Sequence, residues 1–347
     1  MLALLLCANA WSFEINTTNG NDVRWSGTST TMQVDVNATA AQRDLVDIAE
    51  TTFYNQSSLW WHNIVDDDDS WANGNGENEI AWASFATIGA VGQARQIYNT
   101  NTGHIVECDV LLSTDTDWVG EDRIDNRVYT SAATGRHGVA TLLHELGHCA
   151  GLQHEADVYN IMGTDETHVH VNADDVVAYI GEDASAGLRH LYGDWSGKEE
   201  LSVSHWKRTG VSGEYSTHGR VGLYDSSWSL MSPYYIEEEP GYWMQKGSAY
   251  WPEVTLENSG TSSMWVTVSF VLSTNDFITT GDVELARASY YLSPEGSVLT
   301  TTNTDITIPT SQASGFYHLG VIIDPDNTVS ELDEGNNAVY LSSLVAY

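Results

Sequence analysis

Residues 144–154 read HELGHCAGLQH, and this stretch governs the fold and chemistry predicted for the first half of the chain. Apolar residues recur at helical spacing through residues 136–149, which predicts a helix there. His144 and His148 are four residues apart, so both imidazoles project from one face of that helix. Gly151 permits a backbone conformation that a Cβ would resist, so the turn can bring His154 back toward the other two. The stretch therefore predicts three nitrogen ligands around one cation.

The predicted ligand set is typical of catalytic zinc. Three neutral imidazoles leave a fourth position open, whereas structural zinc sites are closed by four protein ligands. Such a Zn²⁺ acidifies its bound water and polarises a carbonyl. Glu145, beside the first ligand, is placed to take a proton from that water as general base and to pass it to a leaving amine. Any one of these histidines could be an ordinary hydrogen-bonded residue, but the full pattern H-E-x-x-H-x-x-G-x-x-H is improbable as a coincidence.

The rest of the first half has the pattern of a mixed α/β domain. Strands are mixed with three helical segments, and the domain they form is predicted to end near residue 197. The segments are a half-buried strand at Met32–Val36, a helix through Leu45–Phe53, an edge strand at Ala90–Tyr98, a strand at Val106–Leu112, the motif helix and a final helix at Gly181–Tyr192.

The zinc motif resembles that of the metzincin zinc endopeptidases, which share this long pattern and a later methionine turn. Met162 resembles that turn, in which the methionine lies beneath the zinc ligands as an apolar floor. Its short interval from His154 resembles the matrixin branch, in particular the secreted bacterial matrixin-like peptidases. Further stretches extend the resemblance over most of residues 20–193: Asn73–Trp82, Gly103–Leu112 and Gly187–Gly193.

The resemblance implies a catalytic domain over residues 11–197, built on a twisted, mainly parallel sheet with one antiparallel edge strand and three helices. It implies hydrolysis of peptide bonds in extracellular proteins, with the substrate peptide extended along the edge strand. The family's strand at Val106–Leu112 packs near the active-site helix, so a Cys108–Cys149 disulfide is a hypothesis. Two unpaired buried thiols are the alternative. The methionine turn departs from animal matrixins, because Gly163 and Thr164 stand where Tyr-Pro is usual.

The helix signals stop after residue 197, and short alternating strands separated by turn residues follow. We predict an antiparallel, all-β immunoglobulin-like sandwich over residues 246–347, with residues 198–245 as either a linker or its first strands. Glu257–Gly260, Tyr317–Asp324 and Glu331–Asn337 resemble bacterial cell-adhesion-related (CARDB) modules. That resemblance implies a binding or spacing accessory with a surface or matrix ligand. The alternative is a sandwich that only stabilises its neighbour.

Composition excludes some classes of partner. The 347 residues carry a net charge of −35, which is the opposite of the basic footprint that nucleic acid requires. No stretch approaches the roughly 18 apolar residues needed to cross a bilayer, so we expect no membrane span. Residues 1–10 form a short apolar run ending in Ala-x-Ala, which predicts a signal peptide and a secreted protein. A buried N-terminal strand is the alternative.

Two weaker signals remain. Asp66, Asp67, Asp68 and Asp69 form either a solvated loop or, with nearby oxygen-bearing side chains, a Ca²⁺ site. His168 and His170 follow the predicted methionine turn, and we expect exposed positions for them rather than a cleft or second metal.

Taken together, the residues and the resemblance predict a secreted zinc-dependent endopeptidase with an immunoglobulin-like accessory domain. The competing hypothesis is an adhesion or substrate-binding protein whose zinc domain is inactive.

Overall fold

A computed structural model describes residues 13–65, 71–119, 136–155, 161–163, 169–173, 175–193, 197–212, 215–236, 239–294 and 297–347. The predicted signal peptide at residues 1–10, the acidic run Asp66–Asp69 and His168 lie outside these residues. Among the helices of the described residues, none is both long and apolar enough to cross a membrane.

The N-terminal half is a mixed α/β unit. Its strands are β1 (Thr17–Thr18), β2 (Asn21–Asp22), β3 (Ser29–Val34), β4 (Trp60–Val65), β5 (Glu79–Ala83), β6 (Gly92–Tyr98), β7 (Ile105–Ser113), β8 (Trp118–Val119), β9 (Arg136–His137), β10 (Val169–Asn172) and β11 (Asp175–Ala178). Its helices are α1 (Ala40–Gln56), α2 (Phe85–Ile88), α3 (Gly138–Cys149) and α4 (Gly181–Tyr192).

The main sheet of this half has the order β4-β3-β5-β7-β6. The first four strands run parallel to one another, and β6 pairs antiparallel with β7 at the edge. Strand β7 is buried along nearly its whole length, as is usual for a strand that lies inside a sheet covered by helices. The strand Ala90–Tyr98 predicted at an edge is therefore found there, shortened by two residues.

Helix α1 begins where its cap dictates. The Thr39 hydroxyl accepts the N–H of Gln42, and the Gln42 side chain accepts the N–H of Thr39, which forms a capping box. The buried face of α1 shares one hydrophobic core with α3, and it includes Leu45, Val46, Ala49 and Phe53.

Helix α3 begins at residue 138, two residues later than predicted. The N–H of Ala140 donates to Nδ1 of His137, which places His137 at the cap rather than inside the helix. Gly138 allows α1 to come close, because a Cβ there would lie 2.6 Å from Cδ1 of Leu45. The predicted final helix, α4, has the bounds that the sequence indicated.

The C-terminal half is an all-β sandwich. Its strands are β12 (Leu201–Ser204), β13 (Trp206–Ser212), β14 (Tyr215–Arg220), β15 (Leu223–Tyr224), β16 (Tyr234–Ile236), β17 (Glu239–Met244), β18 (Ala249–Pro252), β19 (Val254–Asn258), β20 (Met264–Ser273), β21 (Val283–Leu292), β22 (Ser297–Thr301), β23 (Ile306–Thr307), β24 (Gly315–Ile323) and β25 (Ala338–Ala346).

Three sheets surround the core of the sandwich. Their orders are β16-β17-β25-β24-β20-β21, β12-β19-β22 and β15-β18-β23. Of the strands in residues 201–244, β12, β15, β16 and β17 therefore belong to the same sheets as the later strands, whereas β13 and β14 form a separate two-stranded sheet. The predicted antiparallel pairing holds except between β17 and β25, which run parallel. Strand β17 lies far from β25 along the chain, so no hairpin turn forces the pair to be antiparallel.

The two halves share a polar contact surface. The Asn172 side chain donates to the carbonyl of Ile278 at 3.0 Å and accepts the N–H of the same residue at 2.7 Å. The Tyr179 hydroxyl donates to the Glu257 carboxylate at 3.3 Å. Because Asn172, Tyr179 and Glu257 are all buried, these bonds are shielded from water.

Candidate metal centre

Helix α3 and the turn after it bring three imidazoles together. The Nε2 atoms of His144 and His148 are 3.1 Å apart, and each is 3.2 Å from Nε2 of His154. Within the described part of the chain, this is the one group of three or more His, Cys, Asp or Glu residues whose ligand atoms converge. The residues predicted as ligands are thus adjacent in space.

Backbone carbonyls orient two of the three rings. Nδ1 of His144 lies 2.7 Å from the carbonyl oxygen of Ile161, and Nδ1 of His148 lies 2.9 Å from that of Leu152. A ring that donates its Nδ1–H in this way directs the Nε2 lone pair at its neighbours. Tetrahedral coordination with zinc–nitrogen bonds of about 2.0–2.1 Å requires nitrogens roughly 3.3 Å apart. The observed spacing and donor set therefore fit a zinc ion.

Gly151 makes the turn that returns His154. Its φ of +106° lies in the region that favours glycine, and a Cβ there would be 2.1 Å from the carbonyl oxygen of Val23. The turn is also paired with the N-terminal segment: the N–H of Asn16 donates to the carbonyl of Gly151, and the N–H of Gln153 donates to that of Glu14. The turn that carries His154, the predicted third ligand, is thus held in place by residues 14–16 of the N-terminal segment.

The C-terminal end of α3 is fixed by distant side chains. The last carbonyls of a helix have no partner within the helix. Here the carbonyl of His148 accepts from Gln96 at 3.0 Å, that of Cys149 from the Trp25 indole at 2.9 Å, and that of Ala150 from the Tyr192 hydroxyl at 2.5 Å. Burial raises the pKa of Tyr192, so its hydroxyl stays a donor across the ordinary pH range.

A disulfide joins the same helix end to the sheet. Cys108 of β7 and Cys149 of α3 are bonded, with their Cα atoms 5.6 Å apart, and both side chains are buried. The pair named as a hypothesis from sequence is the pair joined in the structure.

Met162 lies against the motif helix. It is 2% exposed, and a Cβ on Gly147 would come within 2.4 Å of its Sδ atom. Gly147 therefore leaves the space that the thioether occupies. The Met162 carbonyl also accepts the N–H of Glu155 at 3.2 Å, which ties the methionine segment to the residue after the third histidine.

The side chain of Glu145 projects from α3 toward the edge strand β6. Its side chain is 5% exposed, and a Cβ on Gly92 would lie 2.7 Å from its Oε1 atom. Gly92 is the first residue of β6, so the carboxylate borders the strand along which a peptide is expected to lie.

His170 corrects one expectation. We expected an exposed position, but the side chain is 1% exposed, because β10 packs against the C-terminal half. It lies near the fully buried His205, whose pKa is lowered by burial and then by the charges of Arg220 and His170. Sequence alternation alone could not reveal a surface that a second domain covers.

A group of buried carboxylates was not singled out from sequence. Glu79, Glu107 and Asp109 are each at most 2% exposed. The Glu107 carboxylate accepts the N–H groups of Gly74 and Gly76, so it anchors that loop. Burial, with the charges of Glu107 and Glu79, raises the pKa of Asp109 to about 7. The signal that could have been used is two acids, residues 107 and 109, inside an otherwise apolar strand.

Comparison with known families identifies one part of the chain. Residues 242–340 match the family model described as CARDB. The C-terminal half contains a CARDB domain. Searching the curated proteins found none that matches this chain.

The solved structures that are similar to the chain include two of a Pyrococcus furiosus domain and one of a Methanosarcina acetivorans domain. One is the CARDB domain of a Pyrococcus furiosus protein, crystallised in complex with di-metal ions. It has 16% sequence identity and a TM-score of 0.26, and the match covers 44% of this chain and 90% of that chain. A solution structure of the same Pyrococcus furiosus domain has 18% identity and a TM-score of 0.24, with coverages of 43% and 95%. A domain of a putative cell surface protein from Methanosarcina acetivorans has 20% identity and a TM-score of 0.21, with coverages of 28% and 75%.

Within the CARDB domain, the acidic segment after β24 forms hydrogen bonds with residues 200 and 201, which lie before the matched range 242–340. The Glu331 carboxylate accepts the N–H of Leu201 at 2.8 Å, and the Asn336 amide donates to the Glu200 carboxylate at 2.8 Å. Burial raises the pKa of Glu331 to about 8, and it also raises that of Glu200. Strand β12, which begins at Leu201, is thereby anchored to the CARDB domain.

Proposed function

We propose that the N-terminal half of this chain is a secreted zinc-dependent endopeptidase domain of the metzincin type, close to the matrixins. The CARDB domain would be its accessory module for a surface or matrix ligand. The observation that carries the proposal is the convergence of three histidine Nε2 atoms at 3.1–3.2 Å.

The donor set supports zinc and a catalytic role. His144, His148 and His154 would hold the ion, and no fourth ligand from a His, Cys, Asp or Glu joins them among the described residues. A zinc ion with an open position supplies a Lewis acid that polarises a carbonyl and lowers the pKa of a bound water.

Glu145 would carry the proton. Its position beside the first ligand, on the side facing β6, suits a carboxylate that accepts a proton from water and delivers it to the leaving amine. A peptide would add to the free side of β6 as a further strand, because an edge strand offers unpaired N–H and C=O groups. The Cys108–Cys149 disulfide supports secretion, since disulfides persist in oxidising compartments.

The test measures zinc content and peptide cleavage on the same protein. We expect Glu145→Ala to retain zinc but lose cleavage of a peptide library, and His148→Ala to lose both. His104→Ala is the matched control, because His104 is exposed and outside the ligand set. Full cleavage by Glu145→Ala, or cleavage by the zinc-free protein, would refute the mechanism. Wild-type protein that binds zinc but cleaves nothing would favour an adhesion or substrate-binding protein with an inactive zinc domain.

A further inference from the structure

A concave site lies between α1 and β4. It has a volume of about 410 Å³ and shares no lining residue with the metal centre. Its walls combine two carboxyl groups of α1, Asp47 and Glu50, with aromatic rings from both elements. Neither the proposed endopeptidase nor the CARDB domain uses it.

The carboxyl group of Glu50 is the unusual feature of this cavity. The side chain is only 7% exposed, and its Oε1 atom is buried without a hydrogen bond from any residue that the structure describes. A buried acceptor without a donor is costly, so the site favours a ligand that brings one. Burial, and then the charge of Asp47, raises the pKa of Glu50 to about 8, while hydrogen bonds from Asn63 act in the opposite direction, and no basic side chain is among the causes.

Aromatic rings line the remaining wall. The rings of Tyr54 and Trp60 are 5.6 Å apart, as are those of Trp60 and His62. Trp60 is 49% exposed, so one side of its indole is open to a ligand. The face of an aromatic ring attracts a cation, and indole does so most strongly. The Tyr54 ring already carries such a contact, since Nζ of Lys198 lies 5.9 Å from its centroid.

These features together exclude most classes of ligand. An anion would be repelled by the Asp47 carboxylate at the rim, and a neutral apolar molecule would leave the buried Glu50 oxygen without a donor. A metal ion is disfavoured as well, because among the described residues the cavity's acids and histidine do not converge on a common point. A cation with N–H donors and an apolar stem would give the Glu50 oxygen a donor, attract the Asp47 carboxylate and pack against the aromatic rings.

We propose that this cavity binds a primary alkylammonium ion, with its N–H groups on Glu50 and its methylene stem against Trp60 and Tyr54. The Asp47 carboxylate adds negative charge at the rim, where it accepts the amide of Asn63 at 2.7 Å. The inference rests on α1 and β4 alone, so it stands or falls independently of the zinc chemistry.

The test is a calorimetric titration of the full chain with n-butylammonium chloride at about pH 9, where the Glu50 carboxyl is ionised and the amine is still protonated. The neutral analogue of similar size is 1-butanol. We expect saturable binding of n-butylammonium and none of 1-butanol. Glu50→Gln and Trp60→Ala should each weaken binding about tenfold or more, because each removes one of the two attractions. Trp265→Ala is the matched control, since Trp265 is 70% exposed on the CARDB domain.

Three results would overturn the inference. The first is binding of 1-butanol as tight as that of n-butylammonium, which would indicate an apolar site. The second is unchanged affinity in Glu50→Gln. The third is displacement of n-butylammonium by CaCl₂ with an affinity that Trp60→Ala does not alter, which would indicate a metal site. Circular dichroism identifies any misfolded variant. Trp60→Phe then replaces Trp60→Ala, and Asp47→Asn replaces Glu50→Gln, as milder changes in the same cavity.

Discussion

Removal of the Cys108–Cys149 disulfide should lower the free energy of unfolding by about 4 kcal/mol at 25 °C. The bridge joins residues 41 apart in sequence, and the entropy of closing a loop of that length in the unfolded chain accounts for this figure. Both cysteines are fully buried, so replacement by alanine adds a smaller packing loss at each position.

Urea unfolding of four proteins separates the disulfide from two independent thiols: the wild type, Cys108→Ala, Cys149→Ala and the double variant. Either single substitution breaks the bridge, so the second costs little more. We expect the sum of the losses of unfolding free energy in the two single variants to exceed the loss in the double variant by about 4 kcal/mol. Losses that simply add would refute the bridge. So would the titration of both thiols in denatured, unreduced protein.

Two further predictions concern Glu145 and Glu50. Gly92→Ala should displace the Glu145 carboxylate and lower kcat about tenfold or more while zinc is retained. Gly27→Ala is the control, because a Cβ there meets nothing within 4 Å and kcat should not change. Full kcat in Gly92→Ala would contradict the contact. Burial raises the pKa of Glu50 from 4.5 to about 8, so between these pH values the folded chain keeps a proton that the unfolded chain releases. The contribution of Glu50 to the free energy of unfolding should therefore fall by about 3 kcal/mol between pH 4.5 and 7. Glu50→Gln should remove that part of the slope in urea unfolding, and an unchanged slope would contradict the assigned burial.

Elements with strong local signals were predictable. Helix α4 has the bounds that the sequence indicated, and α1 contains the segment Leu45–Phe53 that was predicted to be helical. The residues predict an edge strand at Ala90–Tyr98 and the family resemblance implies its antiparallel pairing; β6 has both properties. In each case the signal lies within about one helical turn or a few strand positions, so no distant contact is needed to form it.

Features that depend on distant segments were not predictable. The first strand of the sandwich, β12, pairs with β19, which lies more than 50 residues later. The parallel pairing of β17 with β25 and the burial of His170 have the same origin. Nothing near these residues in sequence reports which segment will cover or pair with them.

The alkylammonium cavity shows the same limit. Glu50 reads as one of many acids on an amphipathic helix, and Trp60 as an aromatic residue of a strand. Only the packing of α1 beside β4 buries the Glu50 carboxyl among aromatic rings. Burial changes the chemistry of a carboxyl group more than its neighbours in sequence do.

For the candidate metal centre, the amino-acid sequence alone determined which three histidines converge and how they approach one another. Helical spacing places His144 and His148 on one face, and Gly151 allows the turn that returns His154. Tertiary packing determined how these rings are held. The Ile161 carbonyl orients His144, Trp25 donates to the helix end from 124 residues away, and Gly92 brings the edge strand against Glu145. Spacing on a helix is a local property of the backbone, whereas donors, acceptors and close approaches from distant segments exist only once those segments have packed together.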